Sequence, residues 1–416
     1  MALAARTRAV LLVVALSVLG LATGGVAQLK NGFYTGKCGT NDVETIVQGL
    51  VKARVARDAA IVAQLLRLQF HECAINGCDA GLLVDGPRTE KTAKPNLSVK
   101  GYDLIAAIKT ELEKRCPGVV SCSDIEILAT RDAVALAGGQ RYAVRTGRRD
   151  RRQSSATDVR LPKEEDTAAQ AASYFGSLGF TELDMVVLLG AHTVGVTHCI
   201  KIKKTRLYSY GGKPNSTDPN LDPSDAAVYK KFVCPNTASS DNNILYLDTQ
   251  SSVSRIDNSY YKRLQGRHGV LSVDQNLYAN GASTKKHVDN LANNVIDFSS
   301  LFPKALIKLS ELKVLTGTHG EVRKLGNEMA LAARTRAVLL VVALSVLGLA
   351  TGGVAQLKNG FYTGKCGAND VETIVQGLVK ARVSRDAAIV AQLLRLQFHE
   401  CAVNVRVTIL VLAIAS

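Results

Sequence analysis

The segment 67–79 carries the residues with the clearest chemical potential, and it reads Arg-Leu-Gln-Phe-His-Glu-Cys-Ala-Ile-Asn-Gly-Cys-Asp. Arg67 and His71 are four residues apart and follow apolar residues at helical spacing, which predicts that both side chains lie on one helical face. An imidazole can move a proton, and a guanidinium beside it can stabilise the negative charge that develops. The pair therefore predicts an acid/base site.

The same segment ends in a short loop that could bind a cation. Cys73 and Cys78 delimit it, and Gly77 permits a tight turn. Glu72, Asp79 and backbone carbonyl groups could converge on a hard cation such as Ca²⁺. A disulfide is the ordinary interpretation of two such cysteines in a secreted chain, and no closely spaced set of zinc ligands is present.

His192 is the second candidate. It follows the apolar helix predicted over 185–191, which begins after a capping box formed by Thr181 and Asp184. The small residues Gly190 and Gly195 beside it would let a large flat group approach closely. Four other histidines have no such setting and are expected to be surface or hydrogen-bonded residues: His198, His268, His287 and His319.

Composition and the first residues indicate a folded, secreted protein. The chain has 416 residues, a hydrophobic fraction of 47% and a formal charge of +15, which favours acidic polymers as partners. The basic residues do not alternate with aromatic ones, so nucleic acid is not expected. Residues 1–27 resemble a signal peptide, with Arg6 and Arg8 before an apolar run. The run 148–152 contains four arginines and one aspartate, a pattern typical of a solvated surface.

Residues 329–404 repeat residues 1–76 with three substitutions. The copy divides into a signal-like apolar segment, 329–355, and a partial copy of the following region, 356–404; an unrelated apolar tail, 405–416, comes after it. A structural repeat would duplicate a packing unit rather than a targeting segment. We therefore favour a tandem gene duplicate joined in one gene model. The alternative is a tethered protein, because 337–355 is an apolar run long enough to span a membrane.

Helical periodicity predicts an all-α fold. Helices are expected over 41–54, 103–114, 125–137, 258–265 and 301–312, and a further one from a possible N-cap at Asp58 into the segment 67–79. The polar region 201–249 is expected to be mostly loop, and strand signals are scarce.

Ordered motifs along residues 28 to about 324 show that the chain resembles the secretory plant haem peroxidases, the class III family. They are Arg67…Phe70-His71…Cys73…Gly77-Cys78-Asp79, Glu90-Lys-Thr-Ala…Pro95-Asn96, Cys116-Pro-Gly-Val-Val-Ser-Cys122, Gly147-Arg-Arg-Asp150, Gly190-Ala-His-Thr193, Asp257-Asn-Ser-Tyr260 and Ser272-Val-Asp-Gln275. The resemblance implies a haem peroxidase domain over 28–328, with two helical subdomains and haem b between them.

The resemblance also implies a role for each site residue. His192 would be the axial iron ligand and Asp274 its hydrogen-bond partner, while Phe70 would contact the haem. His71 would transfer the proton of hydrogen peroxide, and Arg67 would stabilise the departing charge. Asn96 would orient His71, with Glu90 supporting the network, and phenolic donors would bind near Pro162.

Two calcium sites are implied by the same resemblance. The distal ligands would be Glu72, Ile75, Gly77 and Asp79; the proximal ligands would be Thr193, Asp248, Ser252 and Asp257. Family members carry Asp at the position of Glu72 and Ser at that of Gly81, so these departures weaken the distal site. The proximal site is expected to be kept, although Asp248 is one residue out of the usual register.

Three disulfides are implied: Cys38 with Cys116, Cys73 with Cys78, and Cys199 with Cys234. Gly326 stands where the family has a further cysteine, so Cys122 is expected to be a free thiol. Asn215 and Asn96 each begin a glycosylation acceptor sequence.

The expected function is that of a secreted, monomeric peroxidase that reduces hydrogen peroxide and oxidises phenolic compounds in the cell wall. Acidic polysaccharide in the wall could retain the protein through its positive charge. The alternatives are a catalytically impaired haem-fold protein that binds the wall, and a fusion tethered by the internal apolar run.

Overall fold

The computed structural model describes residues 28–250, 252–279 and 282–324. The predicted signal peptide, Gly326, the repeated segment and the apolar tail lie outside these residues.

The described chain is mainly helical, which confirms the predicted fold class. Its α-helices are α1 Val43–Val55, α2 Ile61–Cys73, α3 Tyr102–Arg115, α4 Cys122–Leu136, α5 Ala168–Ser177, α6 Glu182–Leu189, α7 Cys199–Ile202, α8 Pro223–Val228, α9 Ser259–Gln265, α10 Ser272–Asn276, α11 Lys285–Ala292 and α12 Phe298–Ser310. Short 3-10 turns connect several of them, including Glu90–Thr92, Lys94–Asn96 and Gly190–Thr193.

Two small antiparallel sheets complete the secondary structure. Strand β1, Arg148–Arg149, pairs with β4, Leu315–Thr316, and β2, Val196–His198, pairs with β3, Ile244–Tyr246. The first sheet joins the middle of the described chain to its last part, since Arg148 lies opposite Thr316.

Helix α4 is the central helix of the first half. Ser121 caps its N-terminus by accepting a hydrogen bond from the backbone N–H of Asp124, and nearly all of its residues are buried. Helices α1 and α2 pack on it with fully buried side chains such as Val47 and Leu65. This packing fixes α2, whose other face carries Arg67 and His71.

The end of α6, which leads into His192, is held by aromatic packing. Tyr261 of α9 donates a hydrogen bond of 3.1 Å to the carbonyl of Val186, and its ring packs edge-on against Phe298 at 5.3 Å between centroids. All three residues are buried. The position of His192 is therefore set by contacts with distant parts of the chain.

The prediction of a mostly loop region over 201–249 is wrong in part. This stretch contains a π-helix over Lys203–Tyr208, helix α8, a second π-helix over Tyr229–Val233 and strand β3. Its scattered apolar residues Leu207, Leu221 and Leu245 form a small separate core with the disulfide of Cys199 and Cys234. Leu207 and Leu221 lie among mainly polar residues, and the apolar run 244–247 is short, so periodicity gives little signal for this core.

The structure contains the three disulfides that the resemblance implies, Cys38–Cys116, Cys73–Cys78 and Cys199–Cys234. Cys122 is a free, buried cysteine.

Within the described ranges, no single helix is long and apolar enough to cross a membrane; the pair Ala168–Ser177 and Glu182–Thr193 meets that length and composition test only jointly, across a bend of 107°.

Candidate active site

Arg67 and His71 lie together on α2, as their spacing predicts. The Nε of Arg67 donates a hydrogen bond of 3.3 Å to Nε2 of His71. The guanidinium also donates to the carbonyl groups of Ser98 and Pro95, at 3.0 and 3.3 Å. Because these carbonyls lie on either side of Asn96, the segment 95–98 holds the guanidinium beside the imidazole.

The hydrogen bonds around His71 determine its tautomer. Arginine can only donate, so Nε2 of His71 must accept and carries no proton. On the other side, Nδ1 lies 2.7 Å from Oδ1 of Asn96, whose Nδ2 donates to the carbonyl of Glu90 at 2.8 Å. The amide oxygen of Asn96 therefore accepts from Nδ1. The hydrogen bonds at Nε2 and at Nδ1 both place the ring proton on Nδ1, so Nε2 is the basic atom.

Burial and charge keep His71 neutral. Burial lowers its pKa and the Arg67 guanidinium lowers it further, while the hydrogen bond to Asn96 opposes them, giving a pKa of about 4. At neutral pH the ring can therefore accept a proton at Nε2.

Glu90 joins this network through its backbone. Its carbonyl accepts from Asn96, whereas its carboxylate pairs with Arg151, with 3.1 Å between Oε1 and Nη1. Burial raises the pKa of Glu90 and the charge of Glu72 raises it further, to about 7, although Arg151 opposes both. The ion pair with Arg151 thus holds the turn Glu90–Thr92, whose Glu90 carbonyl accepts the hydrogen bond from Asn96.

His192 has a carboxylate as the hydrogen-bond partner of its Nδ1 atom. Nδ1 of His192 lies 2.8 Å from Oδ1 of Asp274, a residue of α10 that is 1% exposed. Burial lowers the pKa of His192, but the charge and hydrogen bond of Asp274 outweigh it, and the pKa lies above its ordinary value. Since a carboxylate accepts, Nδ1 carries a proton, and Nε2 presents its lone pair when the ring is neutral.

Tyr260 is a third member of this site that sequence reasoning missed. Its hydroxyl donates to Oδ1 of Asp274 at 2.9 Å, so that oxygen accepts from both Tyr260 and His192. Tyr260 is buried on α9 and its ring packs edge-on to His192 at 6.3 Å. Asp274 is thereby fixed in place by a group other than the histidine it orients.

The two histidines lie on elements that contact each other, because the turn Gly190–Thr193 packs against α2. The His192 side chain is 30% exposed. The charge of Arg67 lowers the pKa of His71 and also acts on His192, so the guanidinium is near both rings. The site therefore combines an acid/base pair on α2 with a carboxylate-bound imidazole on the adjoining turn.

The small residues near His192 do not serve the purpose predicted for them. A Cβ at Gly190 would collide with Tyr261 and Phe298, and one at Gly195 would lie 2.8 Å from Cβ of Ala63 on α2. Both glycines therefore make room for protein side chains rather than for a flat ligand. Gly195 also has a φ of +96°, which glycine adopts readily.

Phe70 and Pro162 lie in partly exposed positions. The Phe70 ring stacks on Phe175 of α5, with 5.7 Å between centroids. The segment around Pro162 is held by Tyr174, which donates to the carbonyl of Arg160 at 2.9 Å, and by Val273, whose N–H donates to the carbonyl of Glu164. Val273 precedes Asp274, so this segment adjoins the helix that carries the His192 partner.

Oxygen ligands suited to a hard cation cluster beside His192. Thr193 donates its hydroxyl to Oδ2 of Asp248 at 3.1 Å, and Ser259 donates to the carboxylates of both Asp248 and Asp257. Ser252 lies next to the same loop, with its hydroxyl 2.7 Å from that of Thr249. The structure thus brings the expected proximal ligands together, and Ser259 is an additional oxygen that the sequence did not reveal.

Two histidines without a predicted role are partnered. His268 lies 2.9 Å from Asp225, and His287 lies 3.4 Å from Glu182. Both have the hydrogen-bonded or ion-paired setting expected for them.

Comparisons with known proteins agree with this geometry. A family model described as peroxidase matches residues 47–294. Peroxidase 57 of Arabidopsis thaliana is 44% identical over 298 residues, which cover 72% of this chain and 91% of the relative. The chain belongs to the plant peroxidase family. Peroxidase 60 and Peroxidase 44 of the same plant are 41% and 40% identical, over 75% and 73% of this chain and 93% and 94% of their own lengths.

Family membership makes the protein a peroxidase enzyme and supports the function of a plant haem peroxidase. It does not favour the alternative of an impaired, non-catalytic protein.

Proposed function

We propose that haem b binds between His71 and His192, and that the bound enzyme reduces hydrogen peroxide while oxidising small phenolic donors in one-electron steps. The observation that carries the proposal is the pair of complementary imidazoles. One presents a basic Nε2 beside a guanidinium, and the other directs its Nε2 away from a carboxylate. Haem fits this donor set: His192 would hold its iron and Phe70 would contact it, and the haem would supply the redox chemistry.

The protein residues would handle the protons and the charge. His71 accepts a proton from hydrogen peroxide at Nε2, helped by the proton that Nδ1 shares with Asn96. The same proton is then delivered to the departing oxygen, which leaves as water when the O–O bond breaks. The two electrons for this step would come from the haem, and the second oxygen would also leave as water after two phenolic donors have each given one electron and one proton. Arg67 stabilises the negative charge on that oxygen before the proton arrives. Tyr260 would keep Asp274 in place, and Asp274 would orient the His192 ring and make it a stronger electron donor.

Donor, cation and location are further parts of the proposal. Phenolic donors would approach beside Pro162, and calcium would bind at Thr193, Asp248, Ser252 and Asp257, where two carboxylates and hydroxyl groups meet. Residues 1–27 would direct secretion, and the charge of +15 would favour retention on acidic wall polysaccharide. Residues 329–416 would be the product of a gene-model fusion.

The test is a peroxide-dependent oxidation assay on the haem-loaded protein. Wild type should oxidise a phenol only when hydrogen peroxide is present. His71→Leu should bind haem equally well by visible absorption and lose at least a hundredfold in rate, since general acid/base groups contribute about 10²–10⁴-fold. Haem binding by wild type without any peroxide-dependent oxidation would refute the proposal.

A further inference from the structure

The loop from Glu72 to Leu82, called here the distal loop, is organised around the Glu72 side chain. Oε1 of Glu72 accepts from the backbone N–H groups of Asp79 and Gly81, each at 3.0 Å, and Oε2 accepts from Leu82 at 2.7 Å. Glu72 is 2% exposed. The loop therefore directs three amide N–H groups at a carboxylate, and these groups place partial positive charge at that point.

Arg151 supplies a cation to the same loop. Its Nε lies 3.0 Å from Oδ2 of Asp79, and its Nη1 lies 3.1 Å from Oε1 of Glu90. Its backbone N–H donates to the carbonyl of Asp79 at 2.7 Å, which fixes the residue at both ends. One guanidinium thus bridges two buried carboxylates, a geometry that suits its planar array of donors.

Gly81 is needed for this arrangement. A Cβ at position 81 would lie 2.8 Å from Cδ of Arg151 and 2.9 Å from both carboxylate oxygens of Glu90. A serine there would displace the arginine or the glutamate. Glu72, Gly81 and Arg151 are therefore mutually adapted, and the first two are the departures from the family that the resemblance places in the distal calcium site.

The residues present do not fit a calcium ion. Calcium takes six to eight oxygen ligands at about 2.3–2.6 Å. Here the Glu72 oxygens accept amide hydrogens, Asp79 pairs with a guanidinium, and position 81 has no side-chain oxygen. We propose that the guanidinium of Arg151 replaces the distal calcium ion in this peroxidase, so that its distal loop is held without a metal.

The replacement connects Arg151 to the acid/base network as a positioning residue. Arg151 holds the Glu90 carboxylate, the Glu90 carbonyl accepts from Asn96, and Asn96 orients His71. The chain from the loop to the imidazole is thus made of protein groups alone.

Calcium content tests the proposal independently of peroxidase activity. The full-length protein would be treated with a chelator, returned to calcium and washed, and calcium would be counted per polypeptide by mass spectrometry. Three changes made together, Glu72→Asp, Gly81→Ser and Arg151→Gly, should add one calcium per chain to the wild-type count. Arg152→Gly is the matched control, because this neighbouring arginine is 66% exposed and lies outside the loop; it should leave the count unchanged.

A second variant locates any calcium that wild type holds. Asp257→Asn should remove it, whereas Asp79→Asn should not. A wild-type calcium that is lost in Asp79→Asn would overturn the proposal, and so would a folded triple variant that gains none. Should wild type fail to oxidise phenols, the proposed function fails, but the calcium counts still decide the role of Arg151.

Discussion

The hydrogen bond between Asn96 and His71 allows the basicity of the acid/base site to be changed by one nearly isosteric substitution. Asn96→Asp places a carboxylate where the amide oxygen lies 2.7 Å from Nδ1 of His71. A full negative charge at that distance favours the imidazolium, and a carboxylate this close shifts a pKa by about 1–3 units. The pKa of His71 should therefore rise from about 4 to roughly 5–7.

The sign of the effect on activity follows from the protonation state required. His71 must be neutral to accept a proton, so the rate falls as pH falls through its pKa. At pH 5, a ring with a pKa of about 4 is nearly all neutral, whereas one with a pKa of about 6 is only about a tenth neutral. Asn96→Asp should thus react with peroxide about tenfold more slowly than wild type at pH 5, and the difference should shrink toward neutral pH.

The assay is the rate of the haem absorbance change on rapid mixing with hydrogen peroxide, measured between pH 3.5 and pH 8. Asn96→Leu is the control, because it removes the hydrogen bond without adding charge and should not move the acid limb upward. An acid limb in Asn96→Asp that coincides with that of wild type would refute the assignment of His71 as the base whose Nδ1 is bound to Asn96.

Three further outcomes are expected. Arg67→Leu should slow the peroxide reaction by about 10²–10³-fold. In wild type the guanidinium lowers the pKa of His71, so its removal should raise that pKa and shift the acid limb of the rate to higher pH; a pH series would detect both effects. Asp274→Asn keeps a hydrogen-bond acceptor for His192 but removes the charge, so the haem reduction potential should become more positive in a redox titration, and an unchanged potential would contradict the role of the carboxylate. Cys122 should be alkylated without reduction only after unfolding, because it is buried and burial raises its thiol pKa; mass spectrometry would show this, and finding it bridged would disprove the assignment.

The Arg67 and His71 pair could be predicted from the sequence because it depends only on the spacing of nearby residues. Arg67 and His71 are four residues apart on a helix whose apolar face is periodic, so their alignment follows from helical geometry. The N-terminal caps of α4 and α6 could also be predicted, because Ser121 and Thr181 each bond to a residue only three positions along the chain.

The remaining features depend on contacts between distant residues. Tyr260 meets Asp274 only because α9 and α10 pack together, and its place in a sequence motif does not show that contact. The charge run 148–152 shows the same limit. Arg148 is fully buried with Asp124, at 2.8 Å, instead of being solvated, and Arg151 reaches the distal loop. A run of like charges is normally exposed, so only the tertiary partners reveal these roles.

The burial of Asn96 has a consequence for how the protein is made. Its acceptor sequence is accessible to a glycosyltransferase only while the chain is unfolded, because the folded residue is 1% exposed and its Nδ2 donates to Glu90. A sugar attached to that nitrogen during synthesis would occupy the space in which Glu90 and His71 pack. Such a chain could not form the acid/base network, whereas a sugar on exposed Asn215 would leave it intact. In a chain secreted as proposed, folding and glycosylation would therefore compete for the same amide group, and the yield of active enzyme would depend on folding being the faster of the two.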